Sequence, residues 1–240
     1  MIFPIQISLI LFVTTFLSGM IVFFNNGEKK LWLNLLLAFS GAYLFAICAL
    51  HLLPEIYKTN AKVTGVFLLV GFFVQIILEL LSEGIEHGHI HKHSHTEKLF
   101  PVAMMIGLSI HAFLEGMPII DFATSSTSSP LLIGIVIHNI PISIALMTVL
   151  LSANISKTKA IFWLGVFALM SPLGTIFSYV LNVNFVDSLG LYYNAIMAVV
   201  IGIFLHISTT ILFESSDNHK FNMMKFAVIV AGACIAYVTI

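Results

Sequence analysis

Three ionisable residues inside otherwise apolar stretches, His111, Glu115 and His138, could together hold a divalent metal ion. Neutral imidazole and carboxylate are the ligands that suit Zn²⁺ and its borderline neighbours. His111 and Glu115 are four residues apart, so one helix face would carry both. His138 is followed by Asn139, Pro141 and Ser143, which makes a polar neighbourhood in a second apolar stretch. Pro118 and Pro141 remove backbone donors, which can free carbonyls or bend helices around a cavity. The blander alternative is that the three groups hydrogen-bond one another and hold two helices together. Their convergence beside a His-rich segment weighs against it.

That segment is EHGHIHKHSH, in which His87, His89, His91, His93 and His95 alternate with small or polar residues. Alternation suits flexible, multidentate and weak metal capture better than a closed structural site. Glu79, Glu83 and Glu86 lead into it and read either as a relay for cations or as a solvated helix end. His206 lies in a further apolar stretch, with Thr210 and no acid four residues on, so ligation and packing are evenly matched there. His51 and Glu55, in HLLPE, share a helix face and read as an entrance or as an interface anchor.

The elements that must position these groups are set by composition. The chain has 240 residues, 59% of them hydrophobic and 9% charged, and a mean hydropathy of +1.06. A soluble domain carries about 25% charged residues. So apolar a chain cannot cover a water-facing surface and reads as an all-α polytopic membrane protein. The net charge of −1 excludes a nucleic-acid footprint. Cys48 and Cys234 lie far apart in apolar runs and imply no disulfide framework. The N-terminal stretch lacks a basic start and a small-residue cleavage pattern, so it is expected to be the first span rather than a removed signal peptide.

A span needs about 20 mostly apolar residues. Eight stretches qualify, roughly 4–24, 32–53, 63–83, 100–120, 130–151, 160–182, 191–213 and 222–240. They make one transmembrane domain over 1–240, with a single sizeable loop at about 84–99. Lysine sets the orientation. With the N-terminus outside, the inner side holds Lys29, Lys30, Lys92, Lys98, Lys157, Lys159, Lys220 and Lys225, and the outer side only Lys58 and Lys62. Both termini are then outside and the His-rich loop is cytosolic. His111, Glu115 and His138 fall within about one turn of the same depth, near the bilayer centre. Ionisable groups at that depth are costly and usually mark a pathway.

The order of motifs resembles the ZIP family, the Zrt- and Irt-like metal transporters. HLLPE stands at 51–55, HAFLEGMPI at 111–119, HNIPISIAL at 138–146, SPLG at 171–174 and GIFLHI at 202–207. The resemblance covers nearly the whole chain. It implies eight helices in a 3+2+3 arrangement, the first three and last three related as inverted repeats. It also implies divalent-metal transport into the cytosol, with His111, Glu115 and His138 as transport residues. The chain departs from the family pattern at Ala112, Asn139, Ile142 and Ser171, where polar or acidic groups are expected. The resemblance therefore implies one metal position, with Asn139, His206 or water helping the three ligands.

The leading expectation is a transporter of Zn²⁺, with Fe²⁺ or Mn²⁺ as alternatives, and not an enzyme. The metal is cargo, and no permanent cofactor is expected. No G-x-x-x-x-G-K-[ST] motif occurs, which argues against ATP coupling within the chain. An intramembrane zinc hydrolase is the runner-up, with His111, His138 and His206 around zinc and Glu115 activating water. A metal-sensing relative that does not transport is the third. The expected partners are divalent metal ions and the lipid bilayer, with homodimer assembly left open. Compact loops and the lack of retention signals suit a bacterial inner membrane.

Overall fold

The structure is a computed structural model that describes residues 2–24, 30–58, 61–82, 84–85, 101–121, 126–127, 129–184, 189–214 and 223–240. Helix α1 (Ile2–Met20) ends in a 3₁₀ turn, Ile21–Phe24. Helix α2 (Lys30–Ile47) runs through a π-helical turn, Cys48–Leu52, into α3 (Leu53–Ile56). Then follow α4 (Ala61–Ser82), α5 (Val102–Gly116) with a 3₁₀ turn at Met117–Ile119, α6 (Ser129–Ser152), α7 (Lys157–Asn184), α8 (Leu189–Glu214) and α9 (Met223–Thr239). Between α5 and α6, Ile120–Asp121 pairs antiparallel with Ser126–Thr127. That two-residue pairing is the one β element among the described residues.

Helices dominate because a chain in hydrocarbon must satisfy every backbone N–H and C=O internally. The distribution of side chains fits that setting. Leu9, Leu17, Phe73, Leu80, Phe162 and Phe213 are exposed, while Gln75, His111, Glu115, His138, Asn139 and Ser143 are buried. A soluble protein shows the reverse bias.

Among the described residues, seven helical stretches are long and apolar enough to cross a membrane: Pro4–Phe24, Leu31–Ile56, Ala61–Ser82, Val102–Ile119, Ser129–Ser152, Lys157–Leu181 and Tyr193–Phe213. These match the first seven expected spans within a few residues. The eighth expected stretch is the shorter apolar helix α9, 17 residues long. At about 1.5 Å per residue it reaches roughly 25 Å, near the lower bound for a span.

The helices pack in two groups. In one, α1 lies against α6 and α7, and α5 lies against α7. In the other, α4 lies against α8, and α2 against α8 and α9. The groups meet where α2 touches α6 and α4 touches α5. Ser18 of α1 and Ser143 of α6 share a hydrogen bond of 2.6 Å, so Ser143 serves helix packing. The α5–α7 crossing is a backbone-to-backbone contact. A Cβ on Gly116 would overlap the Ser171 carbonyl, and one on Gly174 would overlap the Phe113 carbonyl. Small residues at such crossings let helices approach closely in a membrane, where no hydrophobic force draws them together. Thr175 Oγ1 bridges the same contact, donating to the Gly116 carbonyl at 2.8 Å and the Ser171 carbonyl at 3.1 Å.

Candidate metal centre

Helix α5 brings His111 and Glu115 to one face, as the four-residue spacing requires. Helix α6 brings His138 opposite them and Asn139 beside them. All three of His111, Glu115 and His138 are completely buried. One potential ligand atom from each lies within 4.8 Å of the others. The His111 and His138 rings are 5.9 Å apart between centroids and nearly perpendicular, at 83°. His111 Nε2 is 3.3 Å from Glu115 Oε2. Two imidazoles and one carboxylate are a donor set for Zn²⁺ or a similar borderline ion.

A carboxylate this deep in an apolar protein needs donors, because leaving one unsatisfied is expensive. Glu115 finds them on its other oxygen. Asn139 Nδ2 donates to Glu115 Oε1 at 2.7 Å, and Ser171 Oγ donates to the same atom at 3.2 Å. Asn139 Nδ2 also reaches Ser171 Oγ at 3.4 Å. Ser171 comes from α7 through the tight crossing at Gly116, so the third helix contributes to the site through a hydroxyl. Ser171 stood out in the sequence only as a departure from a pattern, and its reach to Glu115 depends on which face of α7 meets α5.

The apolar departures cluster as well. Ala112 and Ile142 are both buried in one cluster with Leu108, Ala145 and Leu146. Ile142 is one turn beyond His138, as expected. Pro141 lies inside the continuous helix α6 and Pro172 inside α7, and Pro118 sits in the 3₁₀ turn after α5.

His206, for which ligation and packing were evenly matched in the sequence, faces α4 and Phe72. Its Nδ1 is 3.5 Å from Glu79 Oε2 of α4, and its ring meets Phe72 edge to face at 4.9 Å. Among the described residues the metal-compatible group is His111, Glu115 and His138, without His206. Gln75, completely buried, lies one turn from Glu79 on the same face of α4 and was also not anticipated. Gly107 of α5 packs on Leu78 and Ser82. Glu79 is thus roughly one turn from His111 along α5, toward the end of the bundle where α4 finishes.

His51 lies on the π-helical turn and is half-buried. Glu55 is exposed and forms an ion pair with Lys58 at 2.6 Å. Glu83, Glu86, His87, His89, His91, His93 and His95 lie outside the described residues.

No curated protein matches the chain. The family model described as ZIP Zinc transporter matches residues 86–239. That interval contains every member of the buried group together with Asn139, Ser171 and His206. Proteins of that family carry divalent metal ions across membranes, in accord with the seven apolar helices and the buried His, Glu and His. This chain belongs to the ZIP zinc transporter family.

Proposed function

We propose that the protein moves divalent metal, Zn²⁺ first and Fe²⁺ or Mn²⁺ as alternatives, into the cytosol through the site made by His111, Glu115 and His138. The observation that carries this reading is the gathering of three buried ligand atoms within 4.8 Å of one another between α5 and α6. Three protein ligands can offset much of an ion's dehydration while leaving a coordination position open. Conduction needs binding strong enough to enter and weak enough to leave.

The rest of the route follows from lysine placement. Eight lysines on one side against two on the other support both termini outside and the end of α4 in the cytosol. That assignment requires an even span count and makes α9 the eighth span. His51 and Glu55 then belong to the outer entrance. Glu79 and His206 form a station between the central site and the cytosolic His-rich loop, which captures arriving metal. The family's arrangement of 3+2+3 helices with inverted repeats is the frame we adopt. A zinc hydrolase is less well supported, because its third imidazole, His206, stands beside Glu79.

Sealed proteoliposomes containing a zinc-sensitive dye test the proposal. Zinc added outside should enter the vesicles with wild-type protein and fail to enter with His138→Ala. Equal entry in both would remove the site from the mechanism.

A further inference from the structure

Glu115 uses its two oxygens for different purposes. Oε1 is engaged by Asn139 Nδ2 and Ser171 Oγ, while Oε2 faces His111 Nε2. We propose that Asn139 and Ser171 are positioning residues that hold Glu115 by Oε1 and present Oε2 alone to the ion, so that the site favours Zn²⁺ over ions that prefer more oxygen ligands, such as Mn²⁺. The proposal rests on His111, Glu115 and His138 being the ligands.

The hydrogen-bond directions close on themselves. Asn139 Nδ2 and Ser171 Oγ are the donors and Glu115 Oε1 is their shared acceptor. The amide nitrogen lies 2.7 Å from Oε1 and 3.4 Å from Ser171 Oγ, so the shorter bond is the one to the carboxylate. The single hydroxyl proton of Ser171 then goes to Oε1. Asn139 spends its nitrogen on the carboxylate, while its buried Oδ1, the atom through which an amide would ligate, makes no hydrogen bond. Bonds to a charged acceptor are the stronger kind.

The clamp is also anchored in the backbone. The Ser171 carbonyl abuts Gly116, the residue after Glu115, and Thr175 Oγ1 ties the Gly116 and Ser171 carbonyls together. The hydroxyl and the carboxylate are therefore held at a separation set by a close helix crossing. Chelation through both oxygens would compete with these two bonds for the lone pairs of Oε1. Single-oxygen binding with two imidazoles suits tetrahedral Zn²⁺. Mn²⁺ is better served by octahedral oxygen coordination.

The test uses full-length protein in detergent, with the five loop histidines replaced by serine, titrated with Zn²⁺ and with Mn²⁺. Ser171→Ala removes one donor without adding volume. It should weaken Zn²⁺ binding about tenfold, the worth of one hydrogen bond to a charged group. Mn²⁺ binding should stay level or tighten, so the preference for zinc falls. Asn139→Leu should act in the same direction. Zinc X-ray absorption should show one carboxylate oxygen in the wild type and a second in Ser171→Ala. Unchanged affinities in Ser171→Ala, or equal weakening of both metals, would overturn the clamp. So would two carboxylate oxygens on zinc in the wild type, a result that needs no variant to fold. Wild-type protein that binds no metal through His111 and His138 would overturn the transport reading too, whereas bound zinc with Ser171→Ala unaltered overturns the clamp alone.

Discussion

His206 of α8 sets its Nδ1 3.5 Å from Glu79 Oε2 of α4, roughly a helical turn from the level of His111. Both side chains are largely buried, with 12% and 26% of their surfaces exposed. On the proposed route, this imidazole and carboxylate would take up an ion leaving the central site or one returning to it.

The expected consequence is a separation of binding from release. His206→Ala should lower maximal zinc flux while leaving the stoichiometry and affinity of the central site within about twofold. The loss should be smaller than that from removing a central ligand. Flux in vesicles and zinc titration of the same preparation check this together. A central site that disappears with His206 would mean that the two stations are one.

The central site should be far less tolerant. Removing groups that only orient metal ligands typically costs about 10–100-fold in affinity or activity. His138→Ala removes a ligand itself, so zinc uptake should fall by more than about 100-fold at unchanged protein level in the membrane. Glu115→Gln keeps the shape and the acceptor but removes the charge, and should weaken binding without abolishing it. Uptake assays with expression measured in parallel distinguish these effects from loss of protein. Wild-type uptake by His138→Ala would exclude this imidazole from the path.

Much of this architecture was legible in the chain because hydrocarbon leaves so few alternatives. Seven apolar stretches became seven long helices. The spacing of His111 and Glu115, with His138 at a matching depth, was enough to foresee their meeting. What escaped was everything that depends on the angular setting of neighbouring helices. Glu79 and His206 were each noticed, but only the packing of α4 on α8 pairs them. Ser171 read as a missing carboxylate, yet the Gly116 crossing brings its hydroxyl to Glu115. The π-helical turn at Cys48–Leu52 had no cue in residue type, and it bears on the register of His51.

Orientation gives a prediction that does not depend on the site. If lysine bias governs insertion, a single cysteine placed at Ser94 should be shielded from impermeant thiol reagents in intact cells. Making that variant in a chain with Cys48→Ala and Cys234→Ala keeps the label specific. Permeabilised cells should then label readily. Ready labelling of intact cells would reverse the topology and, with it, the assignment of the His-rich loop to the cytosol.

Ile142 tests how many ions the centre holds. It lies one turn beyond His138 and packs with Ala112 in a buried apolar cluster. Both positions depart from the polar pattern of the family, and neither side chain can ligate. Asn139 and Ser171, the other two departures, are engaged with Glu115. Two of the four departures, Ala112 and Ile142, thus offer no ligand for a second position, which argues for one ion. Ile142→Glu would place a carboxylate on the face that already carries His138. Inside a low-dielectric site its attraction for a divalent ion is strong. The variant should bind zinc more tightly and release it more slowly, with a lower apparent KM and a lower maximal flux. Metal analysis of wild-type protein with the loop histidines replaced decides the count. One embedded zinc per chain fits the apolar packing of Ala112 and Ile142, and two adjacent zincs would show that other groups rebuild the second position.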